Sequence, residues 1–359
     1  MRILENIALD FKDVLILPQR TSSISRSQII LENEYKKNNG TSFKAIGIIA
    51  ANMDSTGTFE MAKALSKHNC MTALHKHYSV DALVEFYTKN DKTITDSVFY
   101  TLGIGDNDLE KLSEFLKRIT AIWGNLDRID KVCVDVANGY QNAFVEKVKI
   151  IREMIPNAFL MAGNVVTPNM VEELILNANV EMVKVGIGSG ACCKTRLLTG
   201  CGYPQLQAAI DCSFAAHGLK KYICSDGGCV IPGDICKAFG GGSDAIMTSG
   251  MLGGTDECSG EIIEKDGKNF KKMYGMSSKT AQEKYNNGLA KYKASEGRTA
   301  LIPCRGSVAP IIEEILGGLR SACTYVGAKK LKDFSKCCTF VRTTIQENKV
   351  FEKFDTGEN

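Results

Sequence analysis

Residues 183–205 run VKVGIGSGACCKTRLLTGCGYPQ. Residues 182–185 form a short apolar run, as expected of a strand buried on both faces. Glycines at 186, 188 and 190 break it into a loop that presents Cys192 and Cys193 beside Lys194, Thr195 and Arg196. A thiol on a flexible loop among cationic and hydroxyl side chains suits a nucleophile, because nearby positive charge lowers a thiol's pKa and raises its thiolate fraction. Two plainer readings compete. Gly186, Gly188 and Ala191 fit G-x-G-x-x-G/A, but that fingerprint opens a long amphipathic helix in the first strand–helix unit of its domain. Here Gly200, Gly202 and Pro204 keep the following residues irregular, and the unit is the sixth. Buried inert thiols are the common fate of cysteine, yet glycines, charge and a strand-end position point the other way.

Outward from this loop the chain keeps a rhythm. Short apolar runs end in small or polar residues, and helical patterns follow them. Strands are expected at 46–52, 71–75, 97–102, 131–136, 158–162, 182–185, 222–225 and 245–248. Helices are expected at 58–68, 80–89, 109–122, 141–155, 168–177, 205–217 and 232–239, with a last one over 310–321. Thr167-Pro168 puts proline at a helix's first position behind a threonine cap. Near-continuously apolar strands mark a parallel sheet covered on both faces. Eight β/α units in about 200 residues point to a (β/α)8 TIM barrel, a fold of typically ~250 residues; a doubly wound sheet is the runner-up. The whole chain, 1–359, then forms one barrel domain. An N-terminal arm spans 1–45, barrel units span 46–254, and a flap or lid insertion after strand 8 spans 255–299. A C-terminal helix and tail span 300–359. The arm carries a strand-like run at 10–17, the flap a hairpin around Asp266-Gly267, and residues 350–359 look frayed.

Composition narrows the class. The chain has 359 residues, 44% of them hydrophobic and 24% charged, with a net charge of +3. Neither a nucleic-acid field nor an acidic tail is indicated. Glu5, Asp10 and Asp13 interrupt the first apolar pattern, which argues against a secretory signal. No apolar run nears the ~18 residues that span a bilayer. Fourteen cysteines without such a signal argue for reduced thiols and a cytoplasmic location. Four scattered histidines make a structural zinc site a poor expectation.

In a barrel of this kind the active site lies at the C-terminal strand ends. Those ends carry Asn52, Met53 and Asp54; His75, Lys76 and His77; Asp135, Ala137 and Asn138; Gly163 and Asn164; and the Cys loop. Asp226, Gly227 and Gly228 follow strand 7, and Ser249 and Gly250 follow strand 8. Glycines after strands 7 and 8 suit a phosphate held by main-chain amides and a helix N-terminus, with Asp226 free for a ribose diol. Ser25 and Arg26 in the arm offer a further phosphate contact.

Taken together, GIGSGACCKTR, SDGG, AANMDSTGTFEMA, HKHYS, DVANGY, MAGNVVT, YGMSS and YKASEG resemble the IMP dehydrogenase and GMP reductase superfamily over residues 9–351. DVANGY and HKHY, and the lack of an inserted regulatory module, are similar to its GMP reductase branch. The resemblance implies NADPH-dependent reductive deamination of GMP to IMP, with ammonia released through a covalent cysteine thioimidate. It makes Cys193 the nucleophile, with Thr195 and Glu296 as the proton-transfer pair. Asp226, Gly227, Gly228, Ser249 and Gly250 would hold the ribose phosphate. Gly275, Met276, Ser277, Lys293, Ala294, Ser295 and Gly297 would face the base. NADPH would lie against Ser25, Arg26, Lys76, Asp135, Val136, Ala137, Met276, Tyr292, Ser321, Ala322, Cys323 and Thr324. A potassium ion (K+) would sit at Gly188, Gly190 and Cys193, with Arg196 nearby. The resemblance further implies a homotetramer working in purine salvage.

Three positions depart from the family pattern: Ala191 for a phosphate-binding serine, Lys194 for a threonine, and Thr248-Ser249 for Leu-Gly. Ser249 is a candidate replacement for the lost hydroxyl. An IMP dehydrogenase without its regulatory module, a non-catalytic purine-nucleotide sensor, and a barrel enzyme on another phosphorylated substrate are the alternatives.

Overall fold

The structure, a computed structural model, describes residues 3–21, 25–126, 128–285, 288, 294–344 and 346. Eight parallel strands close into a barrel. They are β1 (Ile48–Ala50), β2 (Met71–Ala73), β3 (Val98–Leu102), β4 (Lys131–Asp135), β5 (Phe159–Val165), β6 (Met182–Val185), β7 (Tyr222–Asp226) and β8 (Ala245–Thr248). Each pairs with the next, and β8 closes on β1 with Met247 opposite Ile49. The intervening helices are α1 (Phe59–Ser66), α2 (Val80–Lys89), α3 (Asp106–Trp123), α4 (Asn142–Met154), α5 (Pro168–Ala178), α6 (Gln205–Gly218) and α7 (Pro232–Gly240). The last barrel helix is α8 (Ala309–Val326).

Alternation along the strands sorts the core. Ile49, Met71, Phe99, Cys133, Phe159, Met161, Met182, Cys224 and Met247 fill the barrel's inside. Their neighbours, such as Val132, Val134, Leu160, Val183 and Ile223, face the helices. Each fully buried Val, Leu, Ile or Phe contributes about 1.5–3 kcal/mol, and a strand buried on both faces collects this from most of its residues. That is why the strands read as near-continuous apolar runs.

The arm differs from expectation. No element is expected at 32–45, yet the segment is structured, and Ile46 belongs to it and not to strand 1. Glu32–Lys36 and Ser42–Ile46 form an antiparallel hairpin across the N-terminal end of the barrel. Tyr35 plugs that end, its ring edge-on to Phe159 and Tyr222 and its hydroxyl donating to Asp244 O at 2.8 Å. Strand 1 therefore starts at Ile48, after Gly47. The run expected as a strand at 10–17 splits. Asp10 caps a 3-10 turn (Phe11–Asp13), and only Val14–Ile16 is extended, paired with Phe340–Arg342 of the C-terminal segment.

Between β8 and α8 lies a three-stranded antiparallel sheet of β9 (Ile262–Lys265), β10 (Lys268–Tyr274) and β11 (Thr299–Pro303). Asp266 and Gly267, at φ +52° and +71°, make the two-residue turn expected of a hairpin with that pair. β11 carries the excursion past residue 299. A helix (Lys279–Tyr285) lies between β10 and β11. Residues 350–359 fall outside the described chain.

Candidate active site

The Cys loop leaves the end of β6. Gly186 has φ +155°, and a Cβ there would lie 2.1 Å from Asp226 O. Only glycine lets the loop cross the end of β7 so closely. The loop is not irregular throughout: Thr195–Thr199 form a short helix that Gly200 ends in the left-handed conformation. Main-chain bonds lace the loop to the flap. Cys193 bridges Gly297, the Lys194 amide donates to Glu296 O at 2.6 Å, and the Arg298 amide donates to Cys192 O at 2.9 Å.

That lacing sets three side chains in line. The Cys193 thiol donates to Thr195 Oγ1 at 3.1 Å, and the Thr195 hydroxyl donates to Glu296 Oε2 at 2.6 Å. The second distance is typical of a hydroxyl on a charged carboxylate. The arrangement can carry a proton between sulfur, hydroxyl and carboxylate. The cationic setting expected for Cys193 is not built from Arg196. That guanidinium bonds Tyr203 O at 2.5 Å and pairs with Asp10 at 3.5 Å. Arg298 acts on Cys192 instead, where burial raises the thiol's pKa and the guanidinium opposes it.

Under the loop the barrel mouth holds a charged cluster. Lys184, 3% exposed on β6, donates to Asp135 at 2.7 Å, to Asn164 Oδ1 at 2.9 Å and to Asp226 at 2.5 Å. Asn164 in turn donates to Asp226 at 2.8 Å and Gly186 O at 2.7 Å. Burial alone would discharge the lysine, but the two carboxylates hold its pKa above the ordinary value. Burial pushes Asp135 up, while Lys184, an Asn52 hydrogen bond and Lys76 bring it below the usual carboxylate range. One oxygen of Asp226 is thus committed to the protein.

The loops after β6, β7 and β8 converge. A Cβ on Gly227 would lie 2.8 Å from Ser189 Oγ and 2.9 Å from the Gly190 amide; one on Gly250 would lie 3.6 Å from Ala191. Asp226, Gly227 and Gly250 thus border the Cys loop, whereas a Cβ on Gly228 would meet Phe11 at 3.1 Å and Gln205 at 3.2 Å. The expected helix N-terminus is not part of this arrangement. α7 starts only at Pro232, and its leading amides, Val230 and Ile231, are taken by Asp234 at 3.0 and 3.3 Å.

On the flap, Gly275 packs against Cys192 O, where a Cβ would lie 2.9 Å away. Met276 and Ser277 follow, with Ser277 exposed. Ser295 Oγ accepts from the Lys279 amide at 3.0 Å, so it caps the flap helix; Ala294 and Gly297 flank it and Glu296. Lys293 and Tyr292 lie outside the described residues.

The proposed cofactor positions split. Lys76, Asp135, Val136 and Ala137 stand at the mouth, with Lys76 paired to Asp108 at 3.4 Å. Ser321, Ala322, Cys323 and Thr324 begin roughly 18 Å along α8 from its mouth-side start. Ser25 and Arg26 pack beside that far end, where the Ile30 amide bonds Lys329 O at 3.1 Å. One chain does not bring the two groups together, and the Cys323 side chain is in the core.

Of the potassium positions, Gly188 lies on the Arg196 stem, 2.7 Å from it had it a Cβ. Gly190 O already accepts the Cys193 amide at 2.9 Å. A carbonyl has a second lone pair, and main-chain carbonyls are the oxygens that bind potassium, so the glycines suit such an ion. The Arg196 side chain, a pure donor, does not. Among the described residues no His, Cys, Asp and Glu cluster has metal-binding geometry.

Sequence reasoning passed over Lys184 and the partners of Asp54. A lysine between two valines in a four-residue buried strand was the available signal for the first. For the second there was none, since Asp54 meets Tyr274 across 220 residues.

Comparison with known proteins agrees with this geometry. The model of the IMP dehydrogenase / GMP reductase domain matches residues 8–350. The chain is 51% identical to a GMP reductase of Vibrio campbellii, covering 98% of this chain and 100% of that one. It is 50% identical to a GMP reductase of Vibrio parahaemolyticus and 49% identical to GMP reductase 1 of Homo sapiens, each over 98% of this chain and 99% of the other. A closed barrel whose Cys loop is laced to its flap, and a match along nearly the whole length, place this chain in the IMP dehydrogenase / GMP reductase family.

Proposed function

We propose that this protein is an oxidoreductase that converts GMP to IMP with NADPH and releases ammonia. The observation that carries this is the Cys193–Thr195–Glu296 line, in a chain about half identical to several GMP reductases. Cys193 gives its proton to the Thr195 side and its sulfur adds to C2 of the guanine ring. Adding sulfur covalently splits one difficult displacement into two easier steps. The amino group is a poor leaving group as an anion. Thr195, backed by Glu296, protonates it so that it leaves as ammonia, and a Cys-bound thioimidate remains. NADPH, when bound, supplies the hydride that reduces C2. The Cys193 sulfur then leaves as thiolate and IMP is free.

Asp226 and the glycines at 227, 228 and 250, with Ser249, hold the ribose phosphate. Gly275 and Met276 border the base. At the mouth, Lys76 and the main chain of 135–137 fit the nicotinamide half of the cofactor. Ser25, Arg26 and residues 321–324 reach a mouth only on a second copy, in keeping with a homotetramer. Potassium at the Gly188, Gly190 and Cys193 carbonyls would stiffen the Cys loop. A cytoplasmic role in purine salvage fits fourteen free thiols and this chemistry.

The test is direct. Loss of NADPH absorbance on adding GMP, with IMP as product, supports the reading. Formation of XMP from IMP, NAD and potassium, without GMP turnover, overturns it in favour of the dehydrogenase reaction.

A further inference from the structure

Among the described residues, two of the places where the flap meets the barrel frame the site. One is the lacing of residues 192–194 to 296–298. The other is Asp54, just past β1 at the mouth. Its side chain is 3% exposed, and one oxygen, Oδ2, gathers three donors: Tyr274 Oη at 2.5 Å, Tyr285 Oη at 2.6 Å and Lys284 Nζ at 3.0 Å. All three belong to the flap. Ser259 Oγ, at the flap's start, donates to Asp54 O at 2.6 Å. The Tyr285 ring also stacks on His77, with centroids 3.5 Å apart.

A buried carboxylate is stable only while its lost hydration is replaced. Here the replacements come from the flap, so Asp54 gains them only when the flap is down. The connection to the chemistry is short. Tyr274 ends β10; Gly275 follows, and its amide donates to Arg298 O at 3.1 Å. Arg298 in turn bonds Cys192, and Glu296 is two residues away. The start of the flap stays tied by Ser259 to the Asp54 and Ser55 carbonyls, but without the Asp54 carboxylate the segment from Tyr274 to Tyr285 loses its hold on the barrel and Glu296 can shift off Thr195.

We propose that Asp54 is a positioning residue, the second anchor that docks the flap and so holds Glu296 in register with Thr195. The idea rests on Cys193 and Glu296 being the reacting pair. The test compares Asp54→Ala and Asp54→Asn on the barrel with Lys284→Met and Tyr285→Phe on the flap. Lys284 is 52% exposed along its side chain, so its loss leaves the barrel folded even where Asp54→Ala does not. The readouts are kcat, KM for GMP, melting temperature, and the rate of Cys193 alkylation by iodoacetamide, followed on its peptide.

Each flap variant lowers kcat by about three- to tenfold and speeds Cys193 alkylation by about fivefold, as expected when a lid loses a contact. Asp54→Asn, which keeps an acceptor for both tyrosines, falls between native protein and Asp54→Ala. Adding Lys284→Met to Asp54→Ala costs nothing further, because both remove one contact. Native kcat and native alkylation rates in both flap variants overturn the proposal, whatever Asp54→Ala does to melting. Alkylation needs neither GMP nor NADPH. A native protein that fails to turn over GMP therefore counts against the proposed function, and unchanged alkylation counts against the anchor.

Discussion

Thr195 Oγ1 stands 2.6 Å from Glu296 Oε2, although 101 residues separate them along the chain. The contact exists because the residues flanking Glu296 pair with the Cys loop through main-chain bonds. Side-chain geometry at the reacting sulfur is thus inherited from backbone pairing. Glu296→Gln keeps this pairing and removes the charge. It should lower kcat by about 10²–10⁴-fold, the usual worth of a positioned proton-transfer group, with KM for GMP little changed. Steady-state rates check this, and a kcat within twofold of native would refute the role.

Cys193→Ala should leave no turnover above background while the protein still binds GMP. Removing a covalent nucleophile abolishes the path, not the pocket. Isothermal titration with GMP, alongside an NADPH assay, separates the two. Measurable turnover in this variant would end the thioimidate account.

Lys184→Met should cost about 3–5 kcal/mol of stability, the penalty for stranding a buried charge. Two carboxylates, Asp135 and Asp226, would face each other without their shared cation. Urea unfolding at neutral pH measures it. A loss below ~1 kcal/mol would mean that water replaces the ammonium.

Stability should fall on acidification through the histidines of the mouth. Burial lowers His75 and His77 to about 4, with Lys76 adding to the effect at His77 and Asp54 opposing it at both. Each stays neutral in the fold but takes up a proton when unfolded. Their contribution is therefore whole above about pH 6.5 and is lost as pH falls from 6.5 to about 4. His217, raised by its hydrogen bond to Asp244, acts oppositely and only above pH 6.5. Denaturant midpoints from pH 7 to 4.5 should decline, and His77→Gln should flatten the slope; a midpoint that holds steady in native protein would contradict this.

Gly186→Ala should disable the site without touching a reacting group. A Cβ would fall 2.1 Å from Asp226 O at a φ of +155°, and strain of this kind costs roughly 1–3 kcal/mol or displaces the loop. Lower melting temperature together with lost GMP turnover is the expected pair of results. Native activity would show that the loop crosses β7 elsewhere.

The amino-acid sequence by itself determined the barrel. Strand and helix periods are local, and β6 (Met182–Val185), β8 (Ala245–Thr248) and α2 (Val80–Lys89) match their expected bounds to the residue. The sequence also marked the strand ends, because polar residues and glycines there interrupt apolar runs that burial requires. Tertiary structure alone decided which distant groups meet. Lys184 was hidden in a valine-flanked strand, and its meaning came only when closure brought Asp135 and Asp226 around it. Asp54 and the flap tyrosines share no pattern, since a hydrogen bond across 220 residues leaves no period in the chain. The far placement of Ser321–Thr324 likewise follows from helix direction: in a β/α barrel each helix runs back, away from the mouth that its start adjoins.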